Sequence, residues 1–128
     1  EAGFDEELAA RYFLRRKLFD LGHEVQLVDG EHDLFGDGRV VCIPTPGHTP
    51  GHQSVRVRSA LGDHILVGDA CYNGEAAQTR QFPEFADQAA MNRSLDDLLA
   101  RREAGTVMVF GHDPGQWGEK ALLPSARA

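Results

Sequence analysis

Arg39-Val40-Val41-Cys42-Ile43-Pro44-Thr45-Pro46-Gly47-His48-Thr49-Pro50-Gly51-His52 is a β-branched run that breaks into a loop of prolines and glycines. The first five residues read as a strand. Prolines at 44, 46 and 50 fix φ, and glycines at 47 and 51 permit backbone angles closed to other residues, so the loop holds one geometry. That suits a metal ligand at His48, and a plain turn with an exposed histidine fits the loop equally well. His52 follows four residues on, where the next strand begins. A four-residue spacing aligns two side chains only on a helix, and Pro50 forbids one here. His52 therefore reads as a packed histidine or one that supports a ligand from behind.

Two further apolar runs end in the same way. Ile65-Leu66-Val67-Gly68-Asp69 closes on a carboxylate, and Val107-Met108-Val109-Phe110-Gly111-His112 closes on an imidazole. Strands deliver their last residues to one sheet edge, so His48, Asp69 and His112 can converge although distant in sequence. Imidazole nitrogen and carboxylate oxygen suit zinc and similar divalent cations. The competing role for Asp69 is a cap for the segment that follows it. Asp113 can orient a ring or cap the tail. Tyr72, three residues past Asp69, can face the same cavity, although on the residues alone a core or lid aromatic is the better reading. His23, His32 and His64 stand at turns or strand edges and read as solvated.

The remaining composition is that of one ordinary domain over 1–128. The 128 residues are 41% hydrophobic and 26% charged, a soluble globular balance. A formal net charge of -7, with no basic stripe, argues against a nucleic-acid surface. No apolar run reaches the ~20 residues that span a bilayer, so a membrane partner is not expected and the expected compartment is the cytoplasm. Cys42 and Cys71 make no disulfide framework and read as reduced, buried thiols, with Cys71 beside a metal as the lesser alternative.

Helical periodicity appears over Glu6 to Leu21 and over Asp87 to Ala104, the second with Met91, Leu95, Leu98 and Leu99 as its apolar stripe and Gly105 as its stop. Glu24 to Val28, Arg39 to Ile43, Gln53 to Arg58, Ile65 to Val67 and Thr106 to Phe110 read as strands. Residues Asn73 to Ala86 are polar and read as a loop. The pattern predicts an α/β unit, a mixed sheet with helices on one face. Ile65 to Val67 and Val107 to Phe110 are apolar on both sides, and few elements remain to cover the second face.

Taken together, Thr45-Pro46-Gly47-His48-Thr49-Pro50-Gly51-His52, Gly68-Asp69 and Gly111-His112-Asp113 resemble the later metal motifs of the metallo-β-lactamase superfamily, in order and at suitable spacing. Pro50-Gly51-His52-Gln53-Ser54, Asp69-Ala70-Cys71-Tyr72 and Phe110-Gly111-His112-Asp113 resemble more narrowly the N-acyl homoserine lactonases, which quench quorum signals. The resemblance implies an αβ/βα sandwich with two divalent metal ions, zinc first among the candidates, at the sheet edges. It implies that His48 binds the first, Asp69 bridges both and acts in catalysis, and His112 binds the second. Tyr72 would assist at the substrate carbonyl or leaving oxygen while a metal-bound hydroxide opens the lactone ester. The family's hallmark His-x-His-x-Asp-His motif, which supplies four ligands, is absent from these 128 residues. The expectation is therefore the C-terminal half of the fold, with three of seven ligands and weak or absent activity alone.

Two other readings compete. One is a non-catalytic half-domain that buries its open sheet against the missing N-terminal half or a second copy of the chain. The other is a metallohydrolase of another ester or thioester class, resembling glyoxalase II.

Overall fold

A computed structural model describes residue 22 and residues 24–117. The helix expected over Glu6 to Leu21, and His23, lie outside the described residues. Five strands form one sheet in the order β1-β2-β3-β4-β5. β1 (His32–Asp33), β2 (Val40–Pro44), β3 (Gln53–Ser59) and β4 (Gly62–Gly68) run antiparallel to their neighbours. β5 (Val107–Phe110) lies parallel to β4, which makes the sheet mixed. A parallel pair needs a crossover, and α1 (Gly74–Thr79) and α2 (Gln88–Glu103) form it.

Local signals set these elements. Pro44 closes β2, since it has no N–H to give to a ladder. Asp87 caps α2 by accepting from the Ala90 amide, and Arg101 and Arg102 lie in its last turn, where the helix dipole favours cations. α2 buries Ala90, Met91, Ser94, Leu95 and Leu98, a stripe at helical spacing. Leu95 and Leu98 share one core with Val41, Ile43, Ile65, Val67, Met108 and Phe110 of one sheet face, and Ala77 of α1 joins it. Strand alternation sends Cys42, Val55, Leu66 and Val109, which are register neighbours, to the other face. There Leu66 is 47% exposed.

Three segments differ from the sequence reading. Residues 24–28 form no strand, and Val25 and Leu27 are exposed; alternation alone does not hold a strand that lacks a ladder partner. The polar stretch 73–86 contains α1, begun by Asn73, whose side chain accepts from the Ala76 amide. A six-residue helix buries only Ala77, too little to leave a periodic stripe. Cys42 is half-buried, on the open face, while Cys71 is buried as expected. No helix among the described residues is long and apolar enough to cross a membrane.

Candidate metal centre

The loop that carries His48 is pinned by α2. Ser94 Oγ donates to the Pro46 carbonyl at 2.7 Å, and the Asp87 amide donates to the Gly47 carbonyl at 3.0 Å. Gly47 has φ +142°, and a Cβ there would stand 2.6 Å from the Met91 backbone nitrogen. No other residue lets the helix come so close. The loop closes on itself where the Thr45 amide donates to the His52 carbonyl at 2.9 Å.

β4 delivers Asp69 and β5 delivers His112. The His112 amide donates to the Tyr72 carbonyl at 3.0 Å, which fixes the two segments side by side. Beyond His112 the chain folds back on β5. Gln116 Oε1 accepts from the Phe110 amide at 2.6 Å and its Nε2 donates to the Met108 carbonyl at 2.8 Å. A side-chain amide thus takes the place of a peptide group along β5. Asp113 accepts from the amides of Gly74, Gly115 and Gln116, so it caps its own turn and the start of α1.

The three candidate ligands meet at the sheet edge. His48 Nε2 lies 3.5 Å from Asp69 Oδ2, and His112 Nε2 lies 2.9 Å from Asp69 Oδ1. Each carboxylate oxygen therefore faces a different imidazole. Side-chain exposure rises from 18% at His48 through 40% at Asp69 to 60% at His112. Tyr72 joins the group, with Oη 3.5 Å from His48 Nδ1 and its ring centroid 4.8 Å from that of His112. Burial, then the negative charge of Asp69, push the Tyr72 phenol above its ordinary value, so it is a proton donor at neutral pH. Phe85 stands edge-on to His48 at 5.1 Å.

His52 does something else. Its Nδ1 lies 2.8 Å from Thr45 Oγ1, and its Nε2 accepts from the Asp69 amide at 3.0 Å. Both ring nitrogens are engaged by protein groups, and burial holds the imidazole below its ordinary value. His32 and His64 stand on β1 and β4, and His64 Nδ1 lies 3.2 Å from the Gly62 carbonyl. Burial raises the Cys71 thiol, which lies 3.5 Å from the Asn73 carbonyl; a thiol kept protonated is a poor metal ligand.

The donor set is chemically right for zinc, two imidazoles and a carboxylate. Among the described residues, however, no group of three or more His, Cys, Asp or Glu side chains is arranged to hold one ion. Each of two cations would receive one imidazole and one carboxylate oxygen from these residues. The buried hydroxyls of Thr45 and Ser54, and the amide of Gln116, are the supporting groups that sequence reasoning missed. Ser54 left no signal, because strand alternation sets it on the side of Arg56 and Arg58.

Residues 2–112 match the metallo-beta-lactamase superfamily. The chain belongs to that family. It is 39% identical over 94 residues to the N-acyl homoserine lactonase AttM of Azorhizobium caulinodans, covering 70% of this chain and 35% of that protein. It is 36% identical over 117 residues to the AttM of Rhizobium johnstonii, covering 85% and 44%. Among solved structures it resembles an N-acyl homoserine lactone hydrolase with N-hexanoyl-L-homoserine bound at its catalytic metal center, with TM-score 0.63 and 29% identity, covering 71% of this chain and 36% of the other. The chain spans less than half the length of these relatives. Its mixed sheet, with helices on one face, is the corresponding α/β half of the metallo-beta-lactamase fold.

Proposed function

We propose that this chain forms the C-terminal portion of a metal-dependent, lactonase-type hydrolase of the cytoplasm, acting on N-acyl homoserine lactones or similar lactones. The observation that carries the reading is Asp69. Each of its two oxygens faces a different imidazole, which is what a carboxylate shared by two cations would require. His48 and Asp69 would hold the first divalent ion, and Asp69 and His112 the second, with zinc the ion that suits these donors best. When bound, such ions supply Lewis acidity and a nucleophile at neutral pH. With His48 Nδ1 protonated and facing the Tyr72 oxygen 3.5 Å away, His48 Nε2 would be left free as a donor atom. The Tyr72 hydroxyl proton is then free to meet the ester carbonyl or the leaving oxygen. Its raised value keeps that proton in place at neutral pH.

Zinc wants about four ligands, and these residues offer each ion two. The partner in this reading is therefore the N-terminal half of the fold or a second copy of the chain, which supplies the rest. Zinc-loaded chain, mixed with N-hexanoyl homoserine lactone in a pH-stat beside an intact lactonase, is expected to open the ring at least ~100-fold more slowly, for want of the two-ion arrangement. In a protein with the full ligand set, Asp69→Ala is expected to abolish turnover. Turnover by the lone chain at the intact enzyme's rate overturns the shared-site reading, and an active Asp69→Ala variant overturns the bridging role. The alignment of 44 residues, at 39% identity, with the hydroxyacylglutathione hydrolase of Neisseria meningitidis makes thioesters the second substrate class for the same assay.

A further inference from the structure

We propose that His52 is a positioning residue, which holds Asp69 at its place opposite His48 by receiving the Asp69 backbone amide. The inference rests on the reading of Asp69 as a metal ligand. Its evidence is a run of four hydrogen bonds with only one possible direction. Ser54 Oγ–H donates to the Val67 carbonyl at 2.9 Å, since a carbonyl cannot donate. Thr45 Oγ1–H must then donate to Ser54 Oγ, 2.9 Å away. The Thr45 oxygen is left to accept, so His52 Nδ1 carries the ring proton and gives it to that oxygen at 2.8 Å. His52 Nε2 is left with a lone pair, and the Asp69 amide donates to it at 3.0 Å.

Thr45 and Ser54 are fully buried, so no solvent competes for these bonds. The run ties the end of β2, the start of β3 and the end of β4 into one unit. Those are the segments that carry His48 and Asp69, and the His48–Asp69 separation of 3.5 Å is set across it. A second observation is independent of the hydrogen bonds. Gly68 has φ +61°, and a Cβ there would lie 3.0 Å from His52 Nε2. The residue before Asp69 lacks a side chain where the imidazole must pass to reach the amide. Because both nitrogens are taken, His52 acts through Asp69.

Nuclear magnetic resonance of the unmodified chain, through long-range nitrogen–proton correlations, reports the His52 tautomer directly. The expected result is the proton on Nδ1. Thr45→Val and His52→Leu are each expected to speed exchange of the Asp69 amide at least ~10-fold while the α2 amides around Leu95 stay protected; His112→Ala is expected to leave the Asp69 amide unchanged. In a protein with the full ligand set, zinc affinity by calorimetry is expected to fall ~10-fold in His52→Leu, the usual cost of losing a group behind a ligand. His52→Gln, whose oxygen can accept from the amide, is expected to recover part of it. A proton on Nε2, or Asp69 exchange unchanged in His52→Leu, overturns the proposal. A protein with the full ligand set that takes up no zinc, with tautomer and amide as expected, overturns instead the metal reading on which the role was built.

Discussion

On one face of the sheet Val41, Ile43, Ile65, Val67, Met108 and Phe110 lie beneath α2 and are buried. On the other, Val109 is buried, but Val55 and Cys42 are half-buried, Leu66 is 47% exposed and Val107 39% exposed. The residue types match and the environments do not. Burial here depends on what a strand's neighbours supply, because each strand presents apolar side chains in both directions. A sheet apolar on both faces belongs between two layers. The described residues supply one layer, and the candidate ligands at the sheet edge are unevenly sheltered too, His48 being 18% exposed beside Phe85 and His112 60% exposed.

The largest expected effect comes from breaking the closed face. Leu98→Ala removes a fully buried side chain and is expected to cost about 2–5 kcal/mol. That approaches the total stability of a small domain. Urea unfolding followed by circular dichroism measures it. Retention of the full midpoint would show that α2 contributes little to the core.

Gly47→Ala tests the seam between that helix and the ligand loop. The new Cβ would meet the Met91 backbone nitrogen at 2.6 Å, and backbone cannot step aside as a side chain can. A loss of about 1–3 kcal/mol is expected from the overpacking. Met91→Ala in the same chain is expected not to restore it, because removing the Met91 side chain leaves that nitrogen where it is. Full rescue would place the conflict in the side chain instead.

These effects separate what was legible in the sequence from what was not. The strands and α2 follow from β-branched runs and from Asp87 and Gly105 at the helix ends, which are local signals. Strand ends also marked His48, Asp69 and His112, since an ionisable residue after an apolar run is a local oddity. The role of Gln116 as a stand-in for strand backbone, and the path through Thr45 and Ser54, join residues far apart along the chain. No spacing rule could reveal them. The alternation of residues 24–28 misled for the converse reason, since a local pattern carries no information on whether a neighbour is there to pair with.

The open face is tested by charging it. At micromolar concentration sedimentation of the unmodified chain is expected to show species above monomer, because an exposed apolar row of this kind favours association. Val55 and Leu66 are register partners. Val55→Lys with Leu66→Glu places opposite charges across the pair, which changes stability by about 1 kcal/mol or less, and is expected to return the chain to monomer. A monomeric unmodified chain with a cooperative transition would show that the face needs no cover.

The smallest effect lies on the closed face beyond the reach of α2. By strand alternation Arg56, Arg58 and Asp63 share the side of Ile65. Arg58 grips Asp63 with two nitrogens at 2.9 and 3.0 Å, and Arg56 approaches it at 3.3 Å. The hydrogen bonds from Arg58, with its charge and that of Arg56, hold the Asp63 carboxyl below its ordinary value. A carboxylate with a lowered folded value binds protons less readily when folded than when unfolded. Its contribution is therefore fully present above the unfolded value, about 3.9 for aspartate, and fades as the pH falls through the lower folded one. Asp63→Asn removes that term. Exposed pairs contribute little, so the variant is expected to sit slightly below the unmodified chain in urea midpoint at neutral pH, with the gap closing below about pH 4. A gap that persists unchanged into acid would mean that Asp63 acts by shape and hydrogen bonding, which asparagine also changes, and that the two arginines finish this end of the face without need of its charge.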